Sequence, residues 1–204
     1  MTKKPDRKVV LCISGMAGSG KSTLARKLAA KYGLRYYSGG DALKALAIDG
    51  GYEPRKRGWW ESQEGMRFLK KRGVSSKFDE KIDKKLVGLA KQGNVVLDSW
   101  TMPWLLKNGF KIWLEASVEK RAERIAKRDK ISLEEATKVL NDKERETKAI
   151  YKKLYGFNLG EDLQPFQLIL DVESLRAAEV FKVLRMVMDK VVHKSGLQKR
   201  IVNH

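Results

Sequence analysis

A single cysteine, Cys12, stands in a chain of 204 residues, so neither a disulfide within one chain nor a cysteine metal cluster can form. It lies inside the apolar run Lys8-Val9-Val10-Leu11-Cys12-Ile13-Ser14, where it reads as a small buried hydrophobe. Histidine is scarce too: His193 and His204 fall at the C-terminal end, and neither is assigned a catalytic role. With only four prolines and 42% hydrophobic residues the chain is not disordered. No apolar run approaches the roughly 18 residues of a membrane span, and the run behind the basic N-terminus is too short for a signal-peptide core. These absences lead to the expectation of a soluble, cytoplasmic protein with no membrane partner. Acidic residues are the last shortage, 25 against 43 Lys and Arg, a net charge of +18. Such an excess attracts polyanions. An RNA or DNA partner is one reading, and a surface shaped by highly anionic small substrates or by an unusual growth habitat is the other; the spread of the cations over many segments favours the second. The length supports one domain with a full core, expected to be a monomer.

Against those absences one stretch is dense in information. Gly15-Met16-Ala17-Gly18-Ser19-Gly20-Lys21-Ser22 fits the spacing G-x-x-x-x-G-K-[ST] at every fixed position. It follows the apolar run just named and leads into Thr23-Leu24-Ala25-Arg26-Lys27-Leu28-Ala29-Ala30-Lys31, with Leu24 and Leu28 at helical spacing. Glycines let successive backbone N–H groups turn inward on an anion, and the following helix adds its positive N-terminal end. The stretch therefore predicts an ATP or GTP site, with Gly15 to Thr23 around the phosphates, Lys21 reaching the β- and γ-phosphates, and Ser22 on Mg2+.

The remaining chain alternates. Arg35-Tyr36-Tyr37-Ser38 is a second short strand, and a helix restarts behind Gly39-Gly40 at Asp41. Two helical segments follow, around 61–71 and 78–91, after the basic, Trp-containing stretch Arg55-Lys56-Arg57-Gly58-Trp59-Trp60. Val95-Val96-Leu97-Asp98 is a strand ending in a carboxylate, placed to hold Mg2+ through water, to orient an acceptor, or simply to cap a helix. Phe110 to Leu114 is a fourth strand. The helix 118–129 then carries Arg121, Arg124 and Arg128 on one face, and a helix capped by Ser132 runs to about Tyr151. A fifth strand, Phe166 to Asp171, precedes a closing helix through Val192 and a basic tail expected to fray. Five strands with helices between them predict a doubly wound α/β domain with a parallel sheet.

With those residues in place, the chain resembles the nucleoside monophosphate kinases, most closely the archaeal cytidylate kinases. The segments that carry the likeness are Gly15–Ser22 followed by Thr23-Leu24-Ala25-Arg26, Gly33 to Asp41, Ala90 to Asp98, Lys111 to Ala116, Arg121 to Asp129, and Tyr151 to Phe157. The resemblance implies an α/β P-loop kinase: a five-stranded parallel sheet with helices on both faces, a helical acceptor-binding insertion at about 39–92, and a helical lid at about 117–150, all within one domain spanning 1–204. It implies transfer of a phosphoryl group from ATP, with Mg2+, to CMP or dCMP. Lys21, Asp98, Arg124 and Arg128 would be the catalytic residues, Ser22 and Asp98 the metal ligands, and Ser38, Gly40, Asp41, Lys44, Trp100 and Arg145 the acceptor side.

The departures from the family all fall on that acceptor side. Asp-Gly-Arg or Glu-Gly-Arg after the third strand becomes Asp98-Ser99-Trp100, and the arginine three residues after Asp41 becomes Lys44. The pattern Arg-acid-x-x-acid-x-x-Arg in the later helix becomes Lys143-Glu144-Arg145-Glu146-Thr147-Lys148-Ala149-Ile150. Lysine replaces the charge of arginine but not its bidentate fork. Arg55, Lys56, Arg57 and Arg145 are candidates to replace lost contacts, and Trp59, Trp60 and Trp100 are candidates to stack on a ring. Three readings follow: a kinase for CMP or dCMP, a kinase of this fold with another small-molecule or RNA acceptor, and an ATP-switched RNA or ribosome-assembly factor.

Overall fold

Every strand of the sheet runs parallel to its neighbours, in the order β2-β3-β1-β4-β5, in a computed structural model that describes residues 8–54, 58–75 and 77–195. The strands are β1 (Val10–Gly15), β2 (Arg35–Ser38), β3 (Val95–Asp98), β4 (Phe110–Glu115) and β5 (Leu168–Asp171). The helices are α1 (Lys21–Lys31), α2 (Gly39–Asp49), α3 (Gln63–Val74), α4 (Lys77–Gln92), α5 (Met102–Leu105), α6 (Val118–Asp129), α7 (Leu133–Tyr155) and α8 (Ala177–Ser195). The expected doubly wound α/β sheet is therefore present, with β1 at its centre. None of the described helices is long and apolar enough to cross a membrane.

Alternation along β1 sorts its side chains between the two faces. Leu11 and Ile13 join Leu24, Leu28, Leu184 and Met188 under α1 and α8, whereas Cys12 joins Leu86, Leu97 and Met102 under α2, α4 and α5. Complete burial pushes the Cys12 thiol up to about 12. Because only the thiolate is a nucleophile, a disulfide reagent at pH 8 is expected to leave the native protein unlabelled and to react once denaturant unfolds it. Stoichiometric labelling of the folded protein would contradict the packing.

Element ends differ from the sequence expectations for local reasons. The last helix of the 118–155 pair runs to Tyr155 rather than Tyr151, and it stops where Gly156, at φ 77°, turns its N–H back to the Lys152 carbonyl. β5 begins at Leu168 rather than Phe166, because Phe166 leaves the ladder to pack edge-on against Trp104 and Trp113. α3 begins after Ser62, whose hydroxyl accepts from Gly65 N–H. A short 3-10 turn, Trp59–Glu61, occupies the preceding residues. The Arg55-Lys56-Arg57 stretch, and the tail after Ser195 with His204, lie outside the described residues.

Gly65 fixes how that turn sits on α3. A Cβ there would lie 2.1 Å from the Trp59 carbonyl oxygen. Gly65→Ala must therefore displace Trp59 and Trp60, and is expected to cost about 1–3 kcal/mol as overpacking does. Denaturant unfolding with an unchanged midpoint would contradict that contact.

Candidate active site

The loop between β1 and α1 wraps an open cradle. Gly15 (φ 148°) and Gly18 (φ 82°) both adopt backbone that other residues avoid, and both have protein against them: a Cβ would meet the Leu114 carbonyl at 2.6 Å and the Arg121 carbonyl at 2.7 Å. Gly20 caps α1 in the left-handed conformation with no side chain on the first turn, and no acidic residue stands in that turn. The helix end thus keeps its N–H groups and positive dipole for an external anion. Ser19 Oγ is buried without a hydrogen-bond partner at the same loop. Met16 and Ala17 anchor the loop in two separate apolar clusters, and Thr23 is exposed on α1.

Lys21 and Ser22 line a cavity of about 340 Å³ that extends from this loop toward α2, α3 and α7. Lys21 Nζ stands 5.2 Å from the centre of the Trp100 ring. Trp100 donates Nε1–H to the Gly15 carbonyl at 2.6 Å, which fixes the indole as a wall of the loop. Asp98 sits at the C-terminal end of β3, in register with Ser38 of β2 and Ile13 of β1, and is buried while facing the same cavity. Its Oδ2 accepts from Tyr36 Oη at 3.0 Å. Burial first, and the Asp98 charge next, raise the Tyr36 pKa, so the phenol keeps its proton and remains a donor.

The cavity gathers most of the residues singled out in the sequence. Lys21, Ser22, Ser38, Gly40, Asp41, Lys44, Asp98, Trp100 and Arg128 all line it. Arg124 and Arg145 do not. Arg124 is directed to the end of β5, donating to the Val172 carbonyl at 2.6 Å. Arg145 lies on the solvent side of α7, 70% exposed, and pairs with Asp142. Asp41, at the exposed edge of the cavity, pairs with Arg26, which lines it too.

Several lining residues were not identified from the sequence as site residues. Arg72 on α3 and Asp79 on α4 are both buried, joined through Arg72 Nε to Asp79 Oδ2 at 3.1 Å and through Nη2 to Oδ1. Asp83, one turn along α4, accepts from Thr101 Oγ1 at 2.6 Å and from Tyr155 Oη at 2.5 Å. Burial still raises its pKa against those two hydrogen bonds. From α7 come Lys143, Thr147 and Tyr151, and Lys143 Nζ stands 5.7 Å from the Trp60 ring centre. The available signal was spacing: Asp79 and Asp83, and Lys143, Thr147 and Tyr151, each recur every fourth residue, which puts each set on one helix face. The partners across α3, α4 and α7 were not legible, because they meet only in the tertiary packing.

Trp100 and Ile150, two positions where arginine was expected, meet in one apolar cluster with Met66, Leu69 and Tyr151. Hydrocarbon therefore fills that corner of the site. Among the described residues, the cations that line the cavity are Lys21, Arg26, Lys44, Arg72, Arg128 and Lys143.

Behind the cradle a second buried pair locks the loop. Arg121 on α6 holds Glu144 on α7 through both guanidinium nitrogens Nη1 and Nη2, donates Nε–H to the Ala116 carbonyl at 3.0 Å, and donates Nη1–H to the Ala17 carbonyl at 3.1 Å. Four chain segments converge on this one side chain.

Comparison with known proteins gives the family and the fold. Residues 10–174 match the model of the family described as the cytidylate kinase-like family. The cytidylate kinase of Pyrococcus horikoshii is 33% identical over 186 residues, covering 91% of each chain. That of Methanocaldococcus jannaschii is 34% identical, covering 90% of this chain and 99% of its own. Among solved structures, shikimate kinase from Bacteroides thetaiotaomicron superposes with a TM-score of 0.57 at 15% identity, over 90% of this chain and 99% of its own, a likeness of fold.

Proposed function

We propose, because this chain belongs to the cytidylate kinase-like family, that it transfers the γ-phosphoryl group of ATP to a nucleoside monophosphate, with CMP or dCMP as the acceptor. The observation that carries the reading is one cavity lined both by Lys21 and Ser22 of the phosphate loop and by Trp60, Leu69 and Ile82. Donor and acceptor then share one space, as in-line transfer requires.

In this reading Lys21 and the N-terminus of α1 hold the β- and γ-phosphates, and Arg128 reaches in from α6, which with α7 forms the lid over the donor. Arg124, held by the Val172 carbonyl, stands outside this cavity and takes no part in the reading. Ser22 and Asp98 offer hard oxygen donors on the same wall, a set that fits Mg2+. When bound, that ion supplies charge neutralisation between the β- and γ-phosphates. The acceptor is gripped by the segment 39–92, with Ser38, Gly40 and Lys44 beside its phosphate. Lys143, one turn from Thr147 on α7, adds charge there. It takes the electrostatic role of the arginines whose corner is filled by Trp100 and Ile150. The protein's work is positioning and neutralising charge as the γ-phosphoryl group leaves the β-phosphate oxygen and joins the acceptor oxygen.

Steady-state turnover of CMP, dCMP, UMP, AMP and GMP with ATP and Mg2+ tests this reading. Diphosphate formation from CMP or dCMP is expected to exceed that from either purine by at least about tenfold, the size of one good hydrogen-bond difference. Turnover that favours a purine, or that is absent on every monophosphate, would overturn it.

A further inference from the structure

The sequence places Trp100 on the acceptor side, two residues after Asp98, yet its polar contacts run to the phosphate loop. Its Nε1–H donates to the Gly15 carbonyl at 2.6 Å, and the Lys21 ammonium stands 5.2 Å from the centre of its ring. The indole thus meets the loop at its first residue and at its lysine. It also packs against both apolar clusters that anchor the loop between those points, the one that holds Met16 and the one that holds Ala17.

These contacts bear on how the loop receives an anion. A loop that turns N–H groups inward turns carbonyls outward, and a carbonyl directed into protein needs a donor. Gly15 is buried, and Trp100 supplies that donor. The peptide joining Gly15 to Met16 is trans and planar, so holding its oxygen also sets the direction of the Met16 N–H. Trp100 is itself held in place. Ser99 N–H donates to the Ile13 carbonyl at 3.3 Å, Ser99 Oγ accepts from Thr101 N–H at 3.2 Å, and Tyr151 meets the indole edge to face. A fixed side chain therefore brackets a loop whose glycines would leave it free to move, and a loop ordered in advance binds its ligand at a lower entropic cost. With its one N–H spent on Gly15, the indole has no hydrogen-bond donor left for the acceptor.

We infer, on the nucleoside monophosphate kinase reading above, that Trp100 is a positioning residue for the donor: it holds the phosphate loop in the form that binds ATP. The position at which an acceptor arginine was expected serves the donor side in this chain.

Trp100→Phe keeps an aromatic ring and removes the N–H, and it separates the two roles. Calorimetric titration of ATP with Mg2+, without acceptor, is expected to give a Kd about tenfold higher in the variant than in the natural protein, the scale of one hydrogen bond. The KM for ATP should rise in step while the KM for CMP stays unchanged. A merely structural role would lower the melting temperature and leave ATP affinity where it is, which would overturn the inference. A KM for CMP that rises while ATP affinity holds would return Trp100 to the acceptor, and the inference also fails if both KM values move together. Should the variant not fold, the natural protein decides: its tryptophan emission is expected to change when ATP and Mg2+ bind alone, as the ammonium beside the indole is drawn onto the phosphates, and unchanged emission on binding counts against the assignment. Silence on every monophosphate would remove the kinase reading, whereas the ATP titration would still decide the role of Trp100.

Discussion

Lys21→Ala is expected to lower phosphoryl transfer by about a thousandfold or more, the scale seen when a preorganised donor to a developing charge is removed, while the folded protein persists. The two halves of this expectation come from different observations. Lys21 stands at the open N-terminus of α1 and lines the cavity beside Ser22, on the loop where the γ-phosphoryl group must leave. An interaction that strengthens as charge builds on that group appears in kcat rather than in ATP affinity alone. Stability, by contrast, does not depend on it: a cation at a helix N-terminus opposes the helix dipole, and the Trp100 indole that Lys21 faces is held independently by the Gly15 carbonyl. Single-turnover measurements with saturating ATP, paired with a melting curve, test both halves. Retained turnover would refute the phosphate-loop assignment, and loss of folding would make Lys21 structural.

Arg121→Ala is expected to lower stability far more than removal of any exposed ion pair. Removing one partner of a buried ion pair leaves the other as an uncompensated buried charge, which costs about 3–5 kcal/mol. Here that charge is Glu144, whose side chain is only 11% exposed. The Ala17 and Ala116 carbonyls lose their donors in the same step. For a chain of this length each kcal/mol lowers the melting temperature by roughly 2–4 °C, so a fall of about 6–20 °C is anticipated. Because Ala17 belongs to the phosphate loop, ATP affinity should weaken as well, whereas the exposed Arg145–Asp142 pair on the same helix can be removed with almost no change in melting temperature. A thermal shift series on Arg121→Ala, Glu144→Gln and Arg145→Ala checks the order. Equal, small shifts in all three would contradict the burial.

How much of this was legible in the sequence depended on whether the signal was local. β1, the phosphate loop and α1 are written in adjacent residues, and Ser132 marks the start of α7 by short-range capping chemistry, whereas its end at Gly156 was placed one turn early. The sheet could be anticipated because apolar runs separated by helical segments admit few parallel arrangements. The inner chamber was less legible. Arg145 was a candidate to replace lost arginine contacts on the acceptor side, yet a two-residue step along a helix turns a side chain well away from its neighbour's direction; Lys143 and Thr147 face the cavity and Arg145 does not. Arg124 was grouped with Arg128 by spacing, but the end of β5 draws it to the Val172 carbonyl. Nothing local in the sequence marks Arg72. Its burial follows from Asp79 and Tyr151, one on the next helix and the other 79 residues away in sequence.

The tryptophans divide in the same way. Trp59 is buried with its indole N–H on Glu64 at 2.7 Å, so it builds the wall rather than meeting a ligand. Trp60 is half-buried and faces the cavity under Lys143. Trp100 both lines the cavity and stiffens the phosphate loop, and with Ile150 it closes the corner in which arginines were expected. The cavity lining thus differs from the arginine-rich one expected: Trp100 is among its residues, together with Lys44, Lys143 and the buried Arg72.

The most direct test of the central claim follows the phosphorus itself. Purified protein is incubated with Mg2+, CMP and ATP labelled at the γ-phosphorus, and the products are separated. If the cavity holds donor and acceptor in line, the label moves to the β-position of CDP, and little is released as inorganic phosphate. Label recovered only as inorganic phosphate, or left in ATP, would contradict phosphoryl transfer to a nucleoside monophosphate.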